Sequence, residues 1–215
     1  MSFIRSRIIR WGLLAPLLAV LVACGADPLA IDQALKDSRL DATFTNTGGS
    51  SGDVCVGTFK HAQGESFNLQ IPTGTVLRNG DSSRESFVIV RLKGELESVS
   101  SKQYRERKSI VLSSGDAFIG GLECYSLDAM LGSPETGDTF SVDGAVSGDT
   151  KAVVEALETD DNLAGNQIAV WATTDDLTRD DLDAIGYAFK DTDIDAAKKI
   201  VEKAKLDPAN FKIFQ

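Results

Sequence analysis

A chain of 215 residues with 22 Lys and Arg against 32 Asp and Glu carries a formal charge of -10, and 42% of its residues are hydrophobic. Those proportions exclude collagen, low-complexity chains and multi-span membrane proteins. The acidic excess argues against nucleic acid as a partner, because phosphate binding needs clustered Lys and Arg to displace counterions.

The N-terminus has the layout of a targeting signal. Arg5, Arg7 and Arg10 stand in a head without acids, and an uncharged apolar run of 12 residues follows from Trp11 to Val22. A helix needs about 20 residues to cross a hydrocarbon core, so this run is too short to span. A basic head before a short apolar stretch is the pattern of a secretory signal peptide, here residues 1–23. It ends in Leu21-Val22-Ala23-Cys24, which resembles the lipobox of bacterial lipoproteins.

In that family the Cys thiol takes a diacylglycerol, the preceding peptide is removed, and the new amino group is usually acylated. Ala23 supplies the small residue that the peptidase requires, and Cys24 is the lipidation site the resemblance implies. The alternative is an ordinary signal peptide with Cys24 as a structural thiol. Two or three acyl chains bury enough methylene groups to hold a water-soluble body firmly at a bilayer. Gly25 rather than Asp follows the Cys, which by analogy with sorting in enteric bacteria argues against retention in an inner membrane and, if the envelope is Gram-negative, for the outer membrane. Loss of the three Arg takes the charge from -10 to -13. Anionic headgroups repel such a body, so the lipid must do the anchoring.

The mature chain keeps two cysteines, Cys55 and Cys124. In an oxidising compartment a lone pair of thiols tends to join. A Cys55–Cys124 disulfide would close a loop of about 70 residues and stabilise by roughly 4 kcal/mol. With no CxxC and with His61 as the single histidine, zinc sites of the usual kinds are not expected.

Residues 24–39 read as a tether with a possible short helix, since Ala30, Ile31, Ala34 and Leu35 share one stripe. Over residues 40–128 the pattern becomes that of strands. Phe44 sits between Thr43 and Thr45; Phe67, Leu69 and Ile71 alternate with polar residues; and Phe87 to Leu92 is β-branched and apolar. Asn79-Gly80-Asp81 marks a tight turn, and Ile110–Leu112 with Ala117–Leu122 across a Ser-Ser-Gly-Asp turn reads as a hairpin. Short strands about ten residues apart predict an antiparallel, immunoglobulin-like β-sandwich.

Residues 129–149 read as a linker and residues 150–215 as a small helical lobe, giving an α+β chain. Ala152, Val153, Ala156 and Leu157 form one helical stripe, and Ile168–Ala172 is apolar all round, as in a helix buried within a bundle. Thr178-Arg179-Asp180-Asp181 has the form of a capping box, Leu182, Ile185, Gly186 and Phe189 follow at helical spacing, and Thr192–Asp195 repeats the pattern. Asp207-Pro208 stops the last helix.

Three constellations could carry chemistry. Gly48-Gly49-Ser50-Ser51-Gly52 matches the GxSxG elbow of serine hydrolases in letters only, because that motif needs a strand-to-helix turn and here lies between β-type runs. Asp191, Asp193, Asp195 and Glu202 occupy positions 1, 3, 5 and 12 of an EF-hand-type calcium loop, but Ala196 replaces the glycine its turn requires. The body of an amphipathic helix explains them better. Finally, Gln167-Ile168-Ala169-Val170-Trp171 downstream of Cys124-Tyr125 resembles the QxA(I/V)W motif of thioester domains in bacterial surface adhesins. The resemblance implies a Cys124–Gln167 thioester that would bond covalently to an amine. This sequence departs from the family at Asn166, usually Thr, and at Glu123.

The expectation is therefore a lipid-anchored, exported, non-enzymatic binding or structural module with an unknown protein or surface ligand. No catalytic residues, metal ligands or cofactors are assigned. The thioester adhesin is the alternative, and it excludes a Cys55–Cys124 disulfide.

Overall fold

The structure, a computed structural model, describes residues 27–98, 102–107, 109–157 and 162–215. The signal peptide, the lipobox and Cys24 lie outside the described residues. Strand β1 (Pro28–Ala30) and helix α1 (Ile31–Lys36) come first, then β2 (Leu40–Asn46), β3 (Ser51–His61), β4 (Phe67–Gln70) and β5 (Thr75–Asn79). The chain continues through β6 (Phe87–Ser98), β7 (Gln103–Arg105), β8 (Ile110–Leu112), β9 (Ala117–Ser126) and β10 (Thr139–Ala145). Helices α2 (Gly148–Ala156), α3 (Leu163–Thr174), α4 (Arg179–Ala184) and α5 (Asp191–Lys203) complete it with two 3-10 turns at 208–210 and 212–214.

The strands do not form an immunoglobulin-like sandwich. They form a closed antiparallel barrel of order β5-β10-β2-β3-β9-β6, sealed where β5 pairs back to β6 through Val76 with Val88 and Leu77 with Phe87. Strand β7 extends β6 as a hairpin arm, and a separate small sheet has the order β1-β4-β8.

Two features convert the expected sandwich into a barrel. First, part of the stretch read as a linker supplies β10, which bridges β2 and β5. Second, the long strands are bent by register shifts in the β3–β9 ladder between Asp53 and Cys55, and in the β6–β9 ladder between Ile89 and Arg91 and between Leu92 and Gly94. Bulges of this kind increase local twist until sheet edges meet. The expected 110–122 hairpin also differs: β8 pairs with β4 in the small sheet, while β9 lies between β3 and β6.

Residues at the N-terminal end of the body are packed, not free. Ile31 and Ala34 of α1 are fully buried against the core that the barrel shares with the small sheet, with Phe44, Phe59, Phe67, Phe87, Leu122 and Phe140. A second core lies on the opposite face of β6 and β9. There Val88 and Tyr125 meet α2, α3 and α5 through Val153, Ile168, Trp171, Ala197 and Val201. Strand alternation creates this division: Ile89 and Cys124 face the first core, their neighbours Val88 and Tyr125 the second.

The helical elements follow local signals closely. Asn162 caps α3 by accepting from the Gly165 amide at 2.8 Å. Residues Gly165–Ala172 of α3 are buried without interruption. Thr178 and Asp181 form the capping box of α4. That helix stops short of the expected Phe189, because Gly186 adopts a left-handed φ of 71° that terminates it. Among the described residues no helix is long and apolar enough to cross a membrane.

Candidate functional site

The cysteine pair is adjacent but unbridged. Cys55 and Cys124 are buried free thiols in the first core, close enough to hydrogen-bond to each other. The expected disulfide is not found: both are free thiols. Cys124 stands opposite Gly52, and Cys55 opposite Leu122, so the two cysteines are diagonal neighbours across a bulge. Burial first, and then the neighbouring thiol, hold the Cys124 pKa well above its usual value.

Gln167 belongs to a different environment from Cys124. Its carboxamide accepts from the Ser126 amide at 2.9 Å and donates to the Ser126 carbonyl at 2.8 Å, a reciprocal pair buried between α3 and β9. Beside it, Asn166 donates to the Tyr125 hydroxyl at 2.8 Å, and that hydroxyl donates to Glu123 at 3.1 Å. Arg91 neutralises Glu123 at 2.6 Å. The departures from the thioester motif, Asn166 and Glu123, are thus members of one polar brace that ties the helices to the barrel. Thiol and carboxamide sit on opposite faces of β9 and are not brought together.

Ser50 and His61 are likewise separated. Ser50 immediately precedes β3 and His61 ends it, eleven residues on, which is about 36 Å along a strand. The His61 Nε2 is 3.3 Å from the Glu65 carbonyl, and the ring stacks on Phe67. The four acids of the calcium-type spacing lie within α5, where Asp193 caps the helix start and Asp191 pairs with Arg179 at 2.7 Å. Among the described residues no group of three or more His, Cys, Asp or Glu is placed to hold a metal ion.

One cavity combines buried polar groups with an apolar mouth. It has a volume of about 240 Å3 and is lined by Ser50, Glu85, Ser133, the 129–131 segment, Trp171 and the 185–187 segment. Glu85 is 3% exposed and Trp171 is 2% exposed, yet the Glu85 Oε2 and the Trp171 Nε1 have no hydrogen-bond partner. Leaving such a group unsatisfied costs about 1–3 kcal/mol, so native interiors hold few of them. Here one acceptor and one donor are left over at the same cavity. At its lip Met130 is 64% exposed and Leu131 39% exposed, both large apolar side chains. Tyr187 meets Trp171 edge-to-face, with ring centroids 4.9 Å apart.

The electrostatics at this cavity are unusual. Burial is the main cause that pushes the Glu85 pKa up to about 7, assisted by the charges of Asp128 and Asp175 and opposed by the Ser50 and Ser126 hydroxyls. Asp175 is also raised, by its own burial. Burial raises the Tyr187 phenol too, with Asp193 and Glu85 adding to it.

Sequence reasoning passed over Glu85 and Tyr187 and placed Trp171 in the core. Trp171 is in the core; its unpaired indole N–H is what the pattern could not show. The one available signal was an acid two residues before the apolar run of β6, where a buried charge is costly. Comparison with protein-family models, with curated proteins and with solved structures yields no match.

Proposed function

We propose that the protein is an exported lipoprotein, acylated at Cys24, whose barrel and helices form a non-enzymatic binding module, and that the Glu85–Trp171 cavity is where it binds. The carrying observation is a pair of buried atoms at that cavity, the Glu85 Oε2 and the Trp171 Nε1, which have no hydrogen-bond partner among the described residues even though the Ser50 and Ser126 hydroxyls meet the same Glu85 carboxyl. A ligand that bonds to the Glu85 carboxyl recovers part of the free energy lost there, and one that also carries an acceptor for the indole N–H recovers more. The lipobox, the basic head and the 12-residue apolar run support the anchor. An anchored binder at an envelope surface suits a body whose own charge keeps it off anionic lipid.

The anchor is tested by fractionation. The wild-type chain is expected to stay with membranes through a high-salt wash, and Cys24→Ser to be released; retention of the variant would overturn the anchor. Intact mass of the processed protein reads the acyl chains directly, and it also reports whether one ammonia is missing, as a Cys124–Gln167 thioester would require. Binding is tested at the Trp171 indole, whose N–H resonance must move saturably with at least one small molecule.

A further inference from the structure

Resting on that binding reading, we infer that the cavity takes an organic ammonium: a protonated amine on a small apolar body, its cation on the Glu85 carboxylate and its carbon frame between Trp171, Tyr187 and the Met130–Leu131 lip. The argument is one of complementarity. No Lys, Arg or His lines the cavity, so an anion would find no counter-charge there. Glu85 is faced by Asp128 beyond β9, by Asp175 at the end of α3 and by the phenol of Tyr187 after α4. All three make the surroundings electronegative or acceptor-rich, and only the Ser50 and Ser126 hydroxyls offset them. A cation relieves that crowding.

A bare metal ion fits poorly, because it needs several ligating groups converging on it and this cavity presents one lining carboxylate. An ammonium needs fewer. It is attracted by aromatic faces within about 6 Å as well as by a carboxylate, and Trp171 and Tyr187, packed edge-to-face, line the cavity with two rings. The exposed Met130 and Leu131, with Ile185, then cover the apolar part of the same molecule. A volume near 240 Å3 is that of about eight waters in the liquid, enough for a compact amine and too little for a folded peptide segment.

Raising Glu85 by burial has a consequence for binding. The carboxylate that an ammonium prefers is formed only as the pH passes about 7, so capture strengthens from pH 5.5 to pH 8 by about 30-fold, the ratio of ionised Glu85 at the two values.

The test uses the processed protein in detergent, from Cys24 onward, in which Trp171 is the single indole. Butylammonium and benzylammonium are titrated at pH 8 against butan-1-ol, benzyl alcohol, butanoate and benzoate. The indole N–H resonance and the fluorescence are followed. Saturable shifts are expected with the two ammonium probes, at least tenfold tighter than with their neutral or anionic counterparts, weakened about 30-fold at pH 5.5 and lost in Glu85→Gln. Because Met130 is exposed, Met130→Lys is a second variant that leaves the core intact; loss of the apolar lip weakens all probes alike, and the added cation should weaken the ammonium probes at least twofold more than the alcohols. Equal binding of alcohols, or persistence of ammonium binding in both variants, overturns the ammonium assignment while the cavity remains a binding site. If none of the six probes moves the resonance, the ammonium assignment and the binding reading both fall.

Discussion

Replacing Glu85 with Gln should make the folded protein more stable at pH 8 and leave it almost unchanged near pH 4.5. In the unfolded chain a glutamate ionises near 4.5, whereas in the folded protein burial holds Glu85 up to about 7. Between those values only the unfolded chain gives up its proton, so the folded state loses ground as pH rises. The stability associated with the protonated form is fully present below 4.5 and is gone once the pH has passed 7. Each pKa unit corresponds to about 1.4 kcal/mol, which sets a ceiling of about 3 kcal/mol on the loss.

Gln keeps the length of the side chain, can still meet the Ser50 and Ser126 hydroxyls, and has no charge to bury. For a chain of this size about 3 kcal/mol amounts to roughly 6–12 °C in Tm. Thermal melts of the two proteins at half-unit steps from pH 4.5 to 8.5 provide the assay. The curves of Tm against pH should meet at the acid end and diverge toward pH 8, with the variant above. Asp175, raised by its own burial, titrates in both proteins, so only its coupling to Glu85 enters the difference. Parallel curves, or a variant less stable at every pH, would refute the account of Glu85 as a carboxyl held in unfavourable surroundings.

Two further outcomes follow from the core. Gly57→Ala places a methyl group 2.4 Å from the Phe59 Cζ, and that ring is fully buried between Phe44 and Phe118 with no room to retreat. Overpacking of this kind costs about 1–3 kcal/mol, readable as a lower urea midpoint with an unchanged slope. In a Cys24→Ser background, neither Cys55 nor Cys124 should react with a thiol-specific disulfide reagent in the native state, and both should react in guanidinium without prior reduction. A result of zero reactive thiols in guanidinium would show them joined.

Much of the local structure could be read in advance because it is encoded locally. The β-branched run from Phe87 and the Phe67–Leu69 alternation are strands, the all-apolar Ile168–Ala172 segment is a buried helix, and Thr178 with Asp181 caps α4. Closure of the barrel is another matter. A sandwich and a barrel use the same alternation, and what separates them is a pairing of Val76 and Leu77 with Val88 and Phe87 that no spacing announces. Strand β10 was hidden because its alternation amounts to Phe140 and Val142 alone before Asp143 and Gly144, so it resembled the Gly-rich loop around it.

The cavity was illegible for a related reason. Its walls come from five separated stretches around residues 50, 85, 130, 171 and 186. Each is unremarkable alone: a loop serine, an acid before a strand, a tryptophan in a helix. The thiol pair was read correctly as neighbours and incorrectly as a bond.

The parallel pairing of β1 with β4 reaches out to Pro28, only four residues beyond Cys24 in the chain. Four fully extended residues cover at most about 14 Å. Under the proposed acylation of Cys24, the small sheet would be moored within a few water layers of the headgroups, so that the protein could swivel but not wander.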